Sequence, residues 1–454
     1  MTDDLLREEL EALGAAVRSM DQGFRELPDA GAMSDPRVAR ILLETAERLR
    51  DNFPYQHPLY AGQMLKPPHP VARLAYALAQ RINPNNHALD GGRASSRMER
   101  EAVARIAAMF GWDEPGFLGH LCGGGTMANL EALWVAGRLH PGGAVVASSQ
   151  AHYTHGRISA VLGLPFESVP CDALGRMDTG ALARRLERGG VAAVVATLGT
   201  TATGSVDPLP EILETARRSD ARVHVDAAYG GYFALASNLD APARAAFDRI
   251  ADADSIVVDP HKHGLQPYGC GCVLFRDPSV GRLYKHDSPY TYFTSDELHL
   301  GEISLECSRA GASAVALWAT QRLLPPVAGG EFARGLESGR AAALALHERV
   351  ATDRRFVRGL RPELDIVVWL PRAPSARAAS ELSRRVFDEA ERRGLYLAVA
   401  QLPAEFFALA EAGVARDADT VACLRSVLMK PEHADWVDEI WKRLGDAVDA
   451  VNAG

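Results

Sequence analysis

Two polar residues, Asp226 and Lys262, follow apolar runs that predict buried strands. Asp226 ends the run at 222–226, and Lys262 comes four residues after the run at 255–258, within the order Asp-Pro-His-Lys. A lysine amine can form a Schiff base with an aldehyde, and a carboxylate can pair with a protonated ring nitrogen. Pyridoxal 5'-phosphate (PLP) carries both groups, so the two residues together predict a PLP site. A surface lysine beside a turn is the alternative interpretation of Lys262 taken alone.

The surroundings of Asp226 favour the same cofactor. Buried aspartates are uncommon unless they are paired, and a protonated pyridine nitrogen would supply the partner. Ala228 follows two residues later, so its side chain points to the same side of the extended chain. Its small size would let a flat ring lie against the strand.

A glycine-rich segment, residues 122–129, predicts an anion site. Gly124 and Gly125 precede Thr126 where a helix should begin, and free backbone N–H groups at a helix N-terminus bind phosphate. The same residues fit a dinucleotide pattern, but that pattern needs an acid at the end of the next strand. The next apolar run, 144–147, is followed by serines and a glutamine. The phosphate of a smaller cofactor is therefore favoured over NAD.

Two further polar residues follow predicted strands. His152 could stack on one face of a pyridine ring, and the hydroxyl of Thr201 could reach the oxygen on that ring. A plain turn is the alternative for the threonine. The spacing of His152 and His155 could indicate a metal, but no carboxylate or cysteine accompanies them. We therefore expect no metal site.

Short apolar runs alternate with helical patterns through the middle of the chain. The runs at 144–147, 193–197, 223–225, 256–258 and 272–275 predict strands, and a capping box at 96–99 predicts the start of a helix that reaches residue 111. This alternation predicts an α/β fold with a mainly parallel sheet flanked by helices. Ligands of such sheets bind at the carboxyl ends of the strands, where Asp226 and Lys262 fall.

The pattern changes at both ends of the chain. We expect a helical N-terminal arm over residues 1–65, a large PLP-binding domain over 66–330 and a small C-terminal α/β domain over 331–454. A proline-rich stretch separates the first two regions. In the last region, 364–370, 395–400 and 423–428 are strand-like, and a helix is expected over 378–393.

Composition excludes several function classes. The 454-residue chain has a net charge of −9, whereas a nucleic-acid binder needs a basic face. No apolar run approaches the ~20 residues that span a bilayer, and the first residues lack the pattern of a secretion signal. The six cysteines are scattered and form no CxxC pair, which favours reduced thiols. We expect a cytoplasmic protein with neither nucleic-acid nor membrane partners.

These motifs resemble the group II PLP-dependent amino-acid decarboxylases, relatives of the glutamate and aromatic amino-acid enzymes, over about residues 57–324. Those enzymes have the aspartate aminotransferase-like fold (fold type I). The resemblance implies Lys262 as the Schiff-base lysine, Asp226 as the ring-nitrogen partner, His152 as the stacking ring, Ala228 on the opposite face, Gly124, Gly125, Thr126 and His261 around the phosphate, and Thr201 near the ring hydroxyl. It also implies that Ser308 reaches the phosphate of a neighbouring subunit, and hence a homodimer with shared sites.

The chain departs from that family in two places. The aromatic enzymes usually carry tryptophan directly after the lysine, where this chain has His263. The family's mobile loop carries a tyrosine that returns a proton to the substrate, and the corresponding stretch, 286–294, offers both Tyr290 and Tyr292. We expect this stretch to act as a lid and one of the two tyrosines, or His152, as the proton donor.

The expected reaction is α-decarboxylation of an L-amino acid to its amine and carbon dioxide, with an aromatic substrate favoured. The alternatives on the same fold are a carbon–carbon lyase, which would need a second anion pocket, and an oxidative decarboxylase that yields an aldehyde. A regulatory PLP-binding protein and an NAD-dependent oxidoreductase are more distant alternatives. Lys66 and Arg309 could bind an acidic side chain, whereas Tyr55, Tyr60 and Phe293 could line an aromatic pocket.

Overall fold

The computed structural model describes residues 3–24, 35–285 and 298–453. Two β-sheets with their helices make up most of this part of the chain. Within it, no helix is both long enough and apolar enough to cross a membrane.

The larger sheet has seven strands, namely β1 (Leu118–Cys122), β2 (Ala144–Ser148), β3 (Phe166–Val169), β4 (Val191–Thr197), β5 (Arg222–Asp226), β6 (Ser255–Val258) and β7 (Gly271–Phe275). Their order across the sheet is β1-β7-β6-β5-β4-β2-β3. β7 is antiparallel to β1 and β6, and every other neighbouring pair is parallel. The predicted mainly parallel sheet is confirmed, and the carboxyl ends of β4, β5 and β6 lie side by side.

Helices alternate with the strands of this sheet, and the last three helices of the chain pack with the second sheet described below. The helices are α1 (Asp3–Asp21), α2 (Arg37–Leu49), α3 (Pro70–Gln80), α4 (Leu89–Met109), α5 (Gly125–Leu139), α6 (Thr154–Leu162), α7 (Thr179–Leu186), α8 (Leu209–Ala216), α9 (Ala241–Asp248), α10 (Gly311–Leu323), α11 (Glu331–Thr352), α12 (Ala376–Arg392) and α13 (His433–Ala453). Every residue of β2, β4, β6 and β7 is buried, as expected for strands covered on both faces.

The second sheet is antiparallel and lies towards the C-terminus. Its strands are β8 (Phe356–Arg358), β9 (Ile366–Pro371), β10 (Ala398–Pro403) and β11 (Thr420–Val427), in the order β10-β11-β9-β8. Leu59 and Ala61, far earlier in the chain, are buried in the core of this unit. The backbone N–H of Val427 donates to the carbonyl of Ala61, which ties the end of the predicted N-terminal arm to this sheet.

Two details of the predicted elements are wrong. Ser96 does not cap a helix, because α4 already begins at Leu89 and Ser96 lies within it, after a non-helical residue at Gly92. Glu99 turns into the core instead, where it accepts the backbone N–H of Leu121 at 3.0 Å. The strand expected at 395–400 begins only at Ala398.

Candidate active site

The carboxyl ends of β4, β5 and β6 border a cavity of about 500 Å³ that also reaches the N-terminus of α5. Nine residues singled out in the sequence line it: Gly124, Gly125, Thr126, His152, Thr201, Asp226, Ala228, His261 and Lys262. These residues come from segments up to about 140 positions apart. The sequence motifs showed only that they follow separate strands, and the fold brings them together around one cavity.

Asp226 lies at the end of β5 and is almost fully buried. Its Oδ2 atom lies 2.9 Å from Nε2 of His155, and its Oδ1 atom accepts the backbone N–H of Ala228 at 3.1 Å. Burial, the largest single influence, raises the pKa of this carboxyl. The hydrogen bond and charge of His155 and the charge of Lys262 outweigh it, so the pKa of Asp226 lies well below its ordinary value. Asp226 is therefore an anion that can partner a protonated ring nitrogen.

Sequence reasoning missed the role of His155, which it considered only as a metal ligand with His152. The structure describes no group of three or more His, Cys, Asp or Glu residues that could hold a metal ion in its ranges. His155 is instead fully buried in the first turn of α6 and points at Asp226. A usable signal existed, because His155 shares a helical face with the apolar Ile158.

Lys262 lies in the turn that follows β6. Its Nζ atom is 3.1 Å from Oδ2 of Asp259, and its backbone N–H donates to the Asp259 carbonyl. Asp259, which the sequence analysis did not single out, is buried and held by the backbone of Ala228. Because Nδ1 of His261 lies 2.9 Å from the carbonyl of Cys270, that nitrogen must carry the proton and donate it. The Asp-Pro-His-Lys turn thus presents an amine and an imidazole to one cavity.

The glycine loop fits a phosphate. Gly124 has a φ of 138°, which side chains rarely allow, and a Cβ atom on Gly125 would lie 2.6 Å from Oδ2 of Asp259. The loop opens α5, a helix of 15 residues whose N-terminus favours anions. One carboxylate already uses this loop, since the backbone N–H of Gly123 donates to Oε2 of Glu306 at 3.1 Å. An acceptor oxygen of a cofactor phosphate suits the same donors.

His152 lies at the side of the cavity in the turn between β2 and α6. Its Nδ1 atom accepts the backbone N–H of Thr154 at 3.3 Å, which leaves the proton of the neutral ring on Nε2. Burial is the main cause that lowers the pKa of His152, and the charges of Lys262 and His155 act in the same direction. A neutral imidazole is therefore the form present at neutral pH.

The two neighbouring threonines of the turn after β4, Thr200 and Thr201, have different surroundings. Thr200 is buried, and its hydroxyl lies 2.9 Å from that of Thr203 within the turn. Thr201 is exposed to the cavity, and its carbonyl accepts a hydrogen bond from Arg425 at 2.6 Å. The other two nitrogens of the Arg425 guanidinium donate to the carbonyls of Ala202 and Gly62. Arg425 thus fixes the backbone that presents Thr201.

Three further site residues were predicted, and the structure describes one of them. Ser308 is exposed and does not line the cavity of its own chain, so its role in a neighbouring subunit stays a prediction. Tyr290 and Tyr292 lie outside the described residues, as does Phe293.

The residues considered for substrate recognition have other partners. Arg309 is buried in an ion pair with Glu99, and Lys66 donates to the carbonyl of Met429 at 3.1 Å. Tyr55 and Tyr60 pack edge to face against each other, with ring centroids 5.0 Å apart. None of these four lines the cavity.

His263, which replaces the tryptophan of the aromatic enzymes, is buried behind Lys262. Its ring lies 4.7 Å from that of Tyr229 and 5.1 Å from that of Phe233. Burial lowers the pKa of His263 well below its ordinary value, and the charges of Lys66 and Lys262 add to this effect. His263 is therefore a neutral packing residue in this position.

Comparisons with known proteins show the family to which the chain belongs. A family model, the pyridoxal-dependent decarboxylase conserved domain, matches residues 138–369, which include both Asp226 and Lys262. The chain is 31% identical over 327 residues to a probable L-tyrosine/L-aspartate decarboxylase from Methanothermobacter thermautotrophicus, covering 68% of this chain and 82% of that protein. It is 25% identical to an L-tyrosine decarboxylase from Enterococcus faecium, and the match covers 86% of this chain and 81% of that protein.

Solved structures share the fold. The crystal structure of Oryza sativa TDC with PLP and tryptamine matches with a TM-score of 0.77 and 19% identity, covering 99% of both chains. At that identity the match shows the fold alone. The family match and the relatives carry the assignment further: the chain belongs to the pyridoxal-dependent decarboxylases and is a PLP-dependent carboxy-lyase acting on amino acids.

Proposed function

We propose that this enzyme removes the α-carboxyl group of an L-amino acid, preferably an aromatic one, and releases the amine and carbon dioxide. The observation that carries the proposal is the meeting of Lys262, Asp226 and His152 in one cavity. When bound, PLP supplies an electron sink for the bond that breaks. The residues of this chain bind and orient the cofactor and the substrate, and one of them supplies the proton that replaces the carboxyl group.

Each site residue has a proposed task. Lys262 forms the covalent link to the cofactor, and the anionic Asp226 pairs with its ring nitrogen. His152 and Ala228 border the two faces of the ring, and Thr201 lies towards the ring hydroxyl. Gly124, Gly125, Thr126 and His261 surround the phosphate at the N-terminus of α5. This cluster of backbone donors and one imidazole supports a phosphate better than a bulky dinucleotide.

The charge of the cavity supports an aromatic substrate. Among the described residues, Lys262 is the one Lys or Arg that lines it, and that amine is already assigned to the cofactor. An aspartate side chain would need a further cation, since burying an unpaired carboxylate is costly. The cavity wall also contains the apolar side chains Met127 and Leu130. Aspartate is the second candidate because the relative from Methanothermobacter thermautotrophicus is named for both substrates.

A homodimer with shared sites completes the proposal. α2 has no buried residue in the single chain, and it exposes Val38, Ile41, Leu42, Leu43 and Leu49. A helix with so many exposed apolar side chains needs a covering surface, and a second copy of the chain supplies one. Ser308, exposed on the same chain, is proposed to reach the phosphate of that second copy.

The proton that replaces the carboxyl group is proposed to come from Tyr290 or Tyr292, or from Nε2 of His152. The variants Tyr290→Phe and Tyr292→Phe separate these sources. Loss of amine output in one of them, with aldehyde, ammonia and hydrogen peroxide formed instead by reaction with dioxygen and water, would identify that tyrosine as the donor. Unchanged amine output and no aldehyde in both would leave His152 as the donor.

The reaction is tested by product analysis. The PLP-loaded protein is incubated separately with each common L-amino acid, and the products are identified by mass spectrometry. We expect tyramine from tyrosine and a slower or absent reaction with aspartate. An aldehyde together with hydrogen peroxide would replace the proposal by oxidative decarboxylation, and no product from any amino acid would refute it.

Two further expectations accompany the proposal. The domain limits remain at residues 65/66 and 330/331, and limited proteolysis at those positions would test them. A cytoplasmic location is supported by the six cysteines, all of which are unpaired.

A further inference from the structure

We infer that His155 is a positioning residue, which holds the carboxylate of Asp226 as an ion facing the ring nitrogen of the cofactor. The inference rests on the role of Asp226 in the proposed function and adds a residue to it. His155 does not line the cavity, so it acts on the cofactor through Asp226 and not by direct contact.

The contact is buried and direct. Nε2 of His155 lies 2.9 Å from Oδ2 of Asp226, and the His155 side chain has no exposed surface. The two residues are 71 positions apart, on α6 and at the end of β5. Because the N-terminus of α6 follows β2 and lies beside the carboxyl ends of β4 and β5, the imidazole reaches the carboxylate from behind the cavity. His155 therefore contacts the carboxylate of Asp226 from outside the cavity that Asp226 lines.

The carboxylate is fixed at both oxygens. Oδ2 accepts from His155, and Oδ1 accepts the backbone N–H of Ala228 at 3.1 Å. Each carboxylate oxygen has two lone pairs, so one on each oxygen stays available for a group in the cavity. Two donors arriving from different elements restrict rotation of the carboxyl group, and this orientation is what a ring nitrogen at a fixed position needs.

His155 also decides the charge of Asp226. Burial alone would favour the neutral acid, and a neutral acid would not hold a proton on the ring nitrogen. The hydrogen bond from His155 is the strongest influence that lowers the pKa of Asp226, ahead of the charge of Lys262 and the backbone bond from Ala228. Without the imidazole, burial would therefore raise the pKa of Asp226, because the influences that still lower this pKa are weaker.

Other groups near Asp226 are already engaged. His224, two residues earlier on β5, is bonded to Asn129 at 2.8 Å and to Ser255 at 2.9 Å. Asp259 pairs with Lys262, and Nδ1 of His152 accepts a backbone N–H. Among the side chains in the described ranges, His155 is the one that donates a hydrogen bond to Asp226.

The surroundings of His155 favour a proton on Nε2. Nδ1 is buried and has no hydrogen-bond partner in the described ranges, whereas Nε2 faces a carboxylate. An N–H on Nε2 can donate to that carboxylate whether the ring carries one proton or two. This arrangement predicts a signature in the apoprotein: 15N NMR should find a proton on Nε2 of His155, whether or not the cofactor is bound.

The test compares three variants with a matched control. His155→Phe keeps the ring shape and removes the donor, His155→Gln places an amide N–H near the position of Nε2, and His155→Asn is too short to reach Asp226. His347→Phe, at another buried histidine on α11, reports the general effect of such a replacement. The readouts are the 15N shift of the ring nitrogen in labelled PLP as the pH is raised, the dissociation constant for PLP, and kcat and KM.

We expect the ring nitrogen of the wild type to keep its proton to a higher pH than that of His155→Phe or His155→Asn. We also expect kcat to fall about ten- to a hundredfold in both, the range lost when an outer partner of a metal ligand is removed, with little change in KM. His155→Gln should keep most of the wild-type kcat and should hold the ring-nitrogen proton to nearly the wild-type pH. His347→Phe should match the wild type in both measurements. If His155→Phe does not fold, the comparison of His155→Gln with His155→Asn tests the inference.

Equal behaviour of His155→Gln and His155→Asn, or ring-nitrogen titration like the wild type in every His155 variant, would overturn the inference. Such a result would leave the proposed function standing, provided that Lys262→Ala is inactive and the wild type releases amine. If the wild type releases no carbon dioxide from any amino acid, the proposed function fails whatever the His155 variants show.

Discussion

Nζ of Lys262 lies 3.1 Å from Oδ2 of Asp259, within the turn that follows β6. The two residues are three positions apart, and the backbone N–H of Lys262 also donates to the Asp259 carbonyl at 2.9 Å. Asp259 is 2% exposed, so its carboxylate depends on a charged partner beside it. Lys262 therefore has a structural role in the apoprotein besides its proposed covalent role.

That double role predicts different results for two substitutions at Lys262. Lys262→Ala should abolish activity and the yellow absorbance of the loaded protein, and it should lower the free energy of unfolding of the apoprotein by about 1–3 kcal/mol, because Asp259 loses its partner. Lys262→Arg keeps a cation beside Asp259 and should recover most of this stability without recovering activity. Lys285→Ala, at an exposed lysine, serves as the control. Activity in either Lys262 variant would refute the covalent role.

Gly125 should tolerate no side chain. A Cβ atom there would lie 2.6 Å from Oδ2 of Asp259, which Lys262 holds in place. Gly125→Ala should cost about 1–3 kcal/mol through overpacking, which corresponds to a roughly five- to 150-fold rise in the dissociation constant for PLP if the strain is relieved by moving the loop. Gly23→Ala, where a Cβ meets nothing within 4 Å, should leave PLP binding unchanged. Equal affinity in Gly125→Ala and the wild type would show that the loop does not hold the phosphate.

Arg309 is predicted to act on stability and not on substrate choice. Glu99 accepts hydrogen bonds from Arg309, from the backbone of Leu121 and from Asn86, and the ion pair is buried. Arg309→Ala should lower the free energy of unfolding by about 3–5 kcal/mol, because it leaves a buried charge unpaired. Arg40→Ala, which breaks an exposed pair with Glu44, should change it by less than about 0.5 kcal/mol.

Chemical denaturation of the apoproteins measures both effects. The ratio of kcat/KM for tyrosine to that for aspartate should be the same in Arg309→Ala and the wild type. A selective loss of aspartate turnover in Arg309→Ala would instead assign this residue to substrate recognition.

His224 should make the apoprotein sensitive to acid. Burial, followed by the charge of His155, lowers the pKa of His224 to about 3. The unfolded chain then takes up the proton first, so stability is lost as the pH falls from the unfolded pKa, about 6.5, towards the folded one. Between about pH 7 and about pH 5 this single group should cost ~2 kcal/mol.

The variant His224→Gln removes that titration. The loss of unfolding free energy between the same two pH values should be smaller in this variant than in the wild type by a similar amount. His140→Gln, at a histidine that is only partly buried, should show the wild-type loss. An unchanged pH dependence in His224→Gln would mean that His224 is not the neutral, buried group described above.

The sequence predicts the centre of the large sheet well. β2, β4, β5, β6 and β7 were all expected, because continuous apolar runs between helical patterns have one reasonable interpretation in an α/β chain. The edge strands β1 and β3 were missed. β1 contains a glycine and a histidine, and three of the four residues of β3 are not buried, so neither has the apolar run of a central strand. β8, with three residues, is too short to leave a pattern.

The candidate site shows the same division. Residues that follow strands were found, because the topology forces strand ends together. His155 and Asp259 were missed, since their roles depend on contacts with Asp226 and Lys262 that spacing along the chain does not reveal. The capping box was misassigned for a related reason: Glu99 fits the helix-start pattern, but the burial of Arg309 beside it determines its position. Tertiary contacts thus override local signals where charges are buried.

The most direct measurement of the central claim follows the carboxyl carbon. L-tyrosine labelled with 13C at its carboxyl group is incubated with the PLP-loaded wild type, Lys262→Arg and Lys285→Ala, and labelled carbon dioxide and tyramine are quantified by mass spectrometry. We predict equal amounts of the two products from the wild type and from Lys285→Ala, and neither from Lys262→Arg. Labelled carbon dioxide from Lys262→Arg at the wild-type rate, or tyrosine and every other amino acid left intact by the loaded wild type, would contradict the account.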